Sequence, residues 1–179
     1  MAIIKAIETR YKGYRFRSRL EARWAVFFDS AGIEWSYERE GYEVDGKKYL
    51  PDFYLPKFDA FFEVKGTNDF DEALLQGLST GSEKKVILAV GDIPDTDNWA
   101  EEWSGFTTFF PSDEAQQEDG VAWGYEDVFL RCDGCRGIRY ANDIYSLMKD
   151  GCCDGSRLMP LIEELDSARS ARFEHGEKG

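Results

Sequence analysis

Pro51-Asp52-Phe53 and Phe62-Glu63-Val64-Lys65-Gly66 put two carboxylates and an ammonium into one short stretch of chain. Ten residues separate Asp52 from Glu63, enough for a strand to end, turn and return beside itself. Glu63 and Lys65 are two apart in a run that reads as a strand, so both project from one face. Asp52 opens the preceding strand, Asp52-Phe53-Tyr54-Leu55, so the three groups are expected to converge at one sheet edge. Such a trio suits a hard divalent cation, Mg²⁺ or Mn²⁺, which takes oxygen ligands from one or two carboxylates plus substrate phosphates. Asp52, Glu63 and the backbone carbonyl of Val64 would hold the metal, which would polarise a phosphate and lower the pKa of a bound water. Lys65 would orient that water or neutralise developing charge. Glu21, approaching from a helix, would act as an outer ligand or the anchor of a second metal. The pattern reads as a site for metal-dependent phosphodiester hydrolysis.

Each residue also has a plainer role open to it. Ser18-Arg19-Leu20-Glu21 is a capping box, Ser at the N-cap and Glu three residues on, and one carboxylate cannot easily serve both a cap and a metal. Lys65 beside Gly66 could be a solvated strand end, and Asp52 after Pro51 could be turn chemistry. Glu63 is the hardest to explain away: between Phe61-Phe62 and Val64 it sets a charge into an apolar strand, which requires a partner. Glu63 and Lys65 are both expected at a solvent-accessible site.

The elements that must carry these residues follow from periodicity. Leu20, Trp24, Phe27, Phe28 and Ala31 form one apolar stripe of a helix over 18–31, with Gly32 as its stop. Glu34 to Glu38 alternates as a half-buried strand. Tyr42 to Val44 and Lys48 to Leu50 flank Asp45-Gly46, a strong hairpin signal. A short helix is expected over 69–78, and Lys85 to Val90 reads as a strand at a sheet centre. Gly105 to Phe110 would add an edge strand. The order gives an α/β fold with a mixed sheet flanked by helices, complete by about residue 110. A last helix is expected to start near Pro160 and run to about Phe173, and the final six residues read as a disordered tail.

Phe16-Arg17-Ser18-Arg19-Leu20-Glu21, Tyr37-Glu38, Pro51-Asp52-Phe53-Tyr54-Leu55-Pro56 and Phe62-Glu63-Val64-Lys65-Gly66 together resemble the PD-(D/E)XK nuclease superfamily. Within it the pattern looks most like the phage endonuclease I type of Holliday-junction resolvase. The resemblance covers roughly residues 14–66. It implies a restriction-endonuclease-like fold and Mg²⁺-dependent cleavage of branched or structured DNA. It places Glu21, Asp52, Glu63 and Lys65 in the active site and Arg17 with its neighbours near phosphates. Two other readings stay open: a non-catalytic binding protein on the same scaffold, and an exonuclease of the RecB type, for which Gln76 is a faint echo.

The net charge of −13 argues at first against nucleic acid, but its distribution is uneven. Residues 1–23 carry seven basic side chains against two acidic ones. A local basic face of Lys12, Arg15, Arg17 and Arg19 would grip phosphates while the acidic remainder repels non-specific DNA. That acidic C-terminal part could equally engage a protein partner or serve solubility, and a homodimer is left open. Trp99, Trp103, Phe106, Phe109, Phe110 and Trp123 are expected to pack in the core rather than stack on bases.

Cys132-Asp133-Gly134-Cys135 is a CxxC knuckle, and Cys152-Cys153 follow after 16 residues. Four thiolates at this spacing fit a structural Zn²⁺ site. The second pair is adjacent, so Asp154 or His175 could supply a ligand instead; buried thiols or an iron–sulfur cluster are the alternatives. The chain is thus expected to divide into a nuclease-like core over 1–111, an acidic loop or linker over 112–126, a zinc-binding module over 127–155, and a C-terminal helix and tail over 156–179. No segment approaches the roughly 18 apolar residues of a membrane span, and no export signal is seen. The cytoplasm, including that of a phage-infected cell, is the expected compartment.

Overall fold

A computed structural model describes residues 6–95, 105–111, 128–141, 153 and 158–173. The described chain starts with a hairpin, β1 (Thr9–Tyr11) and β2 (Tyr14–Phe16), which leads into helix α1 (Arg19–Ala31). The Ser18 side chain caps α1 by accepting the Glu21 N–H, and Gly32 closes it at φ 70°, a conformation that favours glycine. Ala22, Trp24, Ala25, Phe27, Phe28 and Ala31 bury the apolar stripe.

Strand β3 (Ser36–Tyr37) is shorter than the alternation of 34–38 suggests. Glu38 turns to φ 45° and leaves strand geometry, and the Trp35 ring N–H is drawn to Asp29 at 3.2 Å. Strands β4 (Tyr42–Val44) and β5 (Lys47–Tyr49) form the expected hairpin. Asp45 and Gly46 both have positive φ, as a tight two-residue turn of this hand requires. Strand β6 (Phe53–Leu55), a 3₁₀ turn at Pro56–Phe58 and strand β7 (Ala60–Lys65) bring the chain back antiparallel to itself. Helix α2 (Glu72–Ser82) then crosses to strand β8 (Lys85–Val90), parallel to β7, and strand β9 (Thr107–Phe109) closes the edge.

The result is a five-stranded mixed sheet, β3-β6-β7-β8-β9, flanked by helices. Strand β7 is its middle member, so Glu63 and Lys65 sit at the end of a central strand and not on a sheet edge. Alternation splits β7 between two layers. Phe62 and Val64 pack toward α1 with Phe53, Leu55, Ile87 and Ala89. Phe61 packs toward α2 with Leu75, Leu78, Val86, Leu88 and Phe109. Glu63 and Lys65 share the Phe61 face.

Helix α2 begins and ends three to four residues later than expected. Asp71 is its cap, accepting the Leu74 N–H at 3.1 Å, and Gly77 does not stop it. A Cβ at Gly77 would lie 2.6 Å from Val44 Cγ1, so this glycine lets the β4–β5 hairpin seat directly on the helix.

Past the outer edge of the core sequence, strands β10 (Val128–Cys132), β11 (Ile138–Ala141) and β12 (Leu158–Pro160) make an antiparallel sheet in the order β11-β10-β12. Helix α3 (Ile162–Ser170) follows, so Pro160 ends a strand instead of opening the helix. These elements share the main core. Phe129, Ile138, Leu165 and Ala168 belong to the same apolar cluster as α1, and the Phe129 ring lies 5.3–6.4 Å from those of Phe27, Phe28, Phe58, Phe62 and Phe106. Full burial of one such ring stabilises by about 1.5–3 kcal/mol. Arg131 on β10 pairs with the buried Glu164 of α3 and reaches the Ala31 carbonyl at the end of α1 at 3.4 Å.

Phe106 and Phe109 are buried, as expected of core aromatics. Trp99, Trp103, Trp123, the 112–126 linker and the tail from residue 174 lie outside the described residues. Among the described residues, no helix is long and apolar enough to cross a membrane.

Candidate functional site

The antiparallel register of β6 and β7 pairs Phe53 with Phe62, which brings Asp52 opposite Glu63. The two carboxylates hold each other's strands. Glu63 Oε1 accepts the Asp52 N–H at 3.0 Å, and Asp52 Oδ2 accepts the Val64 N–H at 2.8 Å. Lys65 Nζ donates to Glu63 Oε2 at 3.2 Å, so Asp52, Glu63 and Lys65 do converge. Solvent access differs from the expectation: Glu63 is wholly buried and Asp52 is 2% exposed, while the Lys65 side chain keeps 29%. Both carboxylates fill backbone positions that the ends of the ladder would otherwise leave unpaired, and this pulls them inward.

A tyrosine that sequence reasoning passed over completes this end of the sheet. Tyr49, the last residue of β5, donates its hydroxyl to Glu63 Oε2 at 2.6 Å, with Lys65 Nζ 5.9 Å from its ring centroid. Burial, followed by the charge of Glu63, pushes the Tyr49 hydroxyl far above the ordinary tyrosine value, so it stays a donor. The hint in the sequence was slight: an aromatic closing the hairpin, two residues before Pro51.

Glu21 does not join the trio by any hydrogen bond. Its Oε1 accepts from Ser18 Oγ at 2.7 Å, and its Oε2 accepts the Arg17 N–H at 3.1 Å and the Tyr37 hydroxyl at 2.5 Å. These contacts tie the carboxylate to the start of α1, though it takes the Arg17 N–H and the Ser18 hydroxyl where a capping box would take the Ser18 N–H. Arg17, expected near phosphates, instead bridges inward. Its guanidinium pairs with Asp52 Oδ1, and its Nε meets Glu38 Oε1 at 2.8 Å. Glu38, part of the Tyr37-Glu38 stretch that carries the resemblance but given no role there, thereby enters the cluster.

The electrostatics are unbalanced. Four carboxylates gather around two cations: Glu38 and Asp52 pair with the Arg17 guanidinium and Glu63 with Lys65, while Glu21 takes only the Arg17 backbone N–H. Fully ionised, the cluster would carry an excess of two negative charges, one divalent cation's worth. Burial raises the Asp52 carboxyl above the usual carboxylate range; Glu63 and Glu21 add to this, and Lys65 and the Val64 N–H oppose it. Asp52 and Glu63 therefore supply the donor chemistry that a hard cation takes.

The cysteines make a second candidate centre. Cys132 at the end of β10, Cys135 and Cys153 bring their sulfurs within 4.8 Å of one another and could hold a metal such as zinc. The CxxC turn is built from backbone: Arg136 N–H donates to the Cys132 carbonyl, Cys132 N–H to that of Gly137, both at 2.9 Å, with Arg136 at φ 61°. Cys152, Asp154 and His175, the other ligands considered, lie outside the described residues.

The basic N-terminal cluster is largely ion-paired. Lys12 meets Asp29 at 3.0 Å and Arg15 pairs with Glu8, yet Lys12, Arg15 and Arg17 side chains stay 54–65% exposed. Exposed pairs of this kind are weak enough to exchange for a phosphate. Gln76 donates to the Phe110 carbonyl at 2.9 Å and to Thr80 Oγ1 at 3.3 Å. Compared with known proteins, the chain matches no family model, no curated sequence and no solved structure.

Proposed function

We propose that this protein is a Mg²⁺-dependent nuclease that hydrolyses DNA phosphodiester bonds, on a core of restriction-endonuclease-like type. One observation carries the reading: Asp52 and Glu63 interlocked at adjacent strand ends, with Lys65 3.2 Å from Glu63. The β6–β7–α2–β8 arrangement supports it, because it presents the Glu-x-Lys strand at the middle of a mixed sheet.

In this reading Asp52 and Glu63, with the Val64 carbonyl, hold the cation. When bound, Mg²⁺ supplies Lewis acidity and a water that ionises near neutral pH. Tyr49 fixes the Glu63 carboxylate, and Lys65, partly exposed, offsets charge that builds on the attacked phosphate. Lys12, Arg15 and Arg17 supply exposed cations for the DNA backbone. Glu21 shapes the site from behind by fixing the Arg17 backbone. Gln76, the one residue that echoes a RecB-type exonuclease, donates to the Phe110 carbonyl just past β9.

A non-catalytic scaffold draws on a different observation: each carboxylate oxygen of Asp52 and Glu63 already has a protein partner. One experiment separates the two readings. Pure protein is incubated with supercoiled, linear, single-stranded and four-way-junction DNA, with and without Mg²⁺. Mg²⁺-dependent nicking or junction cutting is expected; intact DNA in every form would leave the scaffold.

A further inference from the structure

Arg17 stands on a fixed base with a half-exposed tip. Its backbone N–H is held by both Glu21 Oε2 and the Tyr37 hydroxyl, each at 3.1 Å, while its side chain is 54% exposed. That side chain reaches down to Asp52, itself 3% exposed, and covers Oδ1. The other Asp52 oxygen is engaged by the Val64 N–H. Oδ1 is therefore the oxygen that Asp52 has for an incoming cation, and Arg17 sits on it.

We propose that Arg17 is a cation-displaced latch: it occupies the Asp52 ligand position until a divalent cation expels it, and the released guanidinium then takes a backbone phosphate. This rests on the nuclease reading of the site. A divalent cation at Asp52 Oδ1 repels the guanidinium seated on the same oxygen, so cation entry drives the guanidinium outward. Glu38, 2.8 Å from the Arg17 Nε, keeps the freed group at the rim of the site. A guanidinium presents a planar fork that suits phosphate oxygens. The consequence is a coupling between two ligands. Cation binding makes Arg17 available to DNA, and DNA that captures Arg17 keeps it from competing with the cation. Such coupling must be reciprocal, and typical values are about 5–150-fold.

The test measures binding, with no cleavage needed. Ca²⁺ is titrated calorimetrically into the full chain, alone and with a short DNA duplex present, for the unmodified protein and for Arg17→Met. In the unmodified protein, DNA should tighten Ca²⁺ binding by about tenfold, within the usual coupling range. Arg17→Met should bind Ca²⁺ more tightly without DNA and lose the enhancement by DNA. Unchanged or weaker Ca²⁺ binding by Arg17→Met, with an unchanged melting temperature, would overturn the latch and leave the nuclease reading intact. No Ca²⁺ binding by the unmodified protein, with or without DNA, would overturn both. Should Arg17→Met fail to fold, the unmodified protein still decides. The Arg17 Nε–H resonance should shift on Ca²⁺ addition, and a resonance unmoved at saturating Ca²⁺ would refute displacement.

Discussion

Asp52 and Glu63 clasp each other's strands: the Glu63 carboxylate takes the Asp52 N–H, and the Asp52 carboxylate takes the N–H of Val64, the neighbour of Glu63. Two carboxyl groups are thereby held side by side in the dry end of a sheet. Backbone donors make the arrangement tolerable, and they give these residues a structural role beside the chemical one proposed for them.

That double role shapes the first prediction. Glu63→Ala would leave the Asp52 N–H and the Tyr49 hydroxyl without acceptors, at about 1–3 kcal/mol for each buried unsatisfied group. Loss of activity in that variant would not separate fold from chemistry. Glu63→Gln keeps an acceptor oxygen and removes the charge. It should retain most of its melting temperature and lose about 10²–10³ in Mg²⁺-dependent cleavage, the size typical of one transition-state stabiliser. Full cleavage by Glu63→Gln would remove Glu63 from the active site.

Tyr49→Phe deletes one hydrogen bond to Glu63 while leaving the ring beside Lys65. A single net hydrogen bond to a charged group contributes about 1.5–3 kcal/mol. In the nuclease reading the expected outcome is a fall in kcat with KM for DNA little changed, because Tyr49 would orient Glu63 and meet no phosphate. A rise in KM alone would assign Tyr49 to DNA contact instead.

Glu21 separates from the rest on geometry. Its oxygens meet Ser18, Arg17 and Tyr37 and make no hydrogen bond to Asp52, Glu63 or Lys65, so Glu21→Gln should cleave DNA at near the unmodified rate. Glu21→Ala keeps the Ser18 cap but leaves the buried Tyr37 hydroxyl without its acceptor, which should lower stability by about 1–3 kcal/mol. Abolished cleavage in Glu21→Gln at an unchanged melting temperature would return Glu21 to catalysis.

The Asp52 environment predicts a pH dependence of stability in the absence of divalent cation. Burial and Glu63 raise the folded-state value, so between the ordinary aspartate range near 3.8 and that raised value the folded protein holds more protons than the unfolded chain. Stability from this group is complete below the ordinary value and is lost as pH rises through the raised one. Arg17, Glu63, Lys65 and Glu21 all face Asp52 and act on the same titration. Melting temperature should therefore fall with rising pH more steeply in the unmodified protein than in Asp52→Asn, and Mg²⁺ should cancel the difference. Parallel curves would show that Asp52 is ionised throughout.

What the sequence disclosed and what it concealed divide along physical lines. Helix α1, its Ser18 cap and Gly32 stop, the Asp45-Gly46 hairpin and strand β8 are local signals, and each was legible. The start of α2 was misplaced because Asp69 and Asp71 are equal candidates for a cap until the chain is folded. Its end was misplaced by four residues, and Gly77 within it is a packing glycine that seats Val44. The Asp52–Glu63–Lys65 convergence was legible because strand alternation and one tight return fix it. Their burial was not, since it depends on how the carboxylates replace ladder hydrogen bonds. Tyr49 and Glu38 come from other strands and loops, where no spacing rule ties them to Glu63 or Arg17. The sharing of one core by α1, α3 and Phe129 was equally hidden, because the cysteine spacing suggested a unit held by its metal alone.

That sharing gives the last prediction. Cys132 is fully buried at the end of β10, three residues from Phe129, which packs among the rings of α1 and β7. A metal at Cys132, Cys135 and Cys153 would therefore stabilise the main core as well as its own turn. Purified protein should contain about one zinc per chain, the stoichiometry of a closed structural site. Free zinc at about a hundred times Kd adds about 2.7 kcal/mol of stability. For a chain of this size that is about 5–10 °C in Tm. Chelation should reverse the gain in the unmodified protein and do nothing to Cys132→Ser/Cys135→Ser. Hydrogen exchange should then rise in α1 and α3 as well as around residue 132, because Arg131 ties β10 to Glu164 and the Ala31 carbonyl. Loosening confined to the CxxC turn would mean the metal site is mechanically separate from the core. Protein free of zinc, with a melting temperature indifferent to chelator, would mean the three thiols hold no metal.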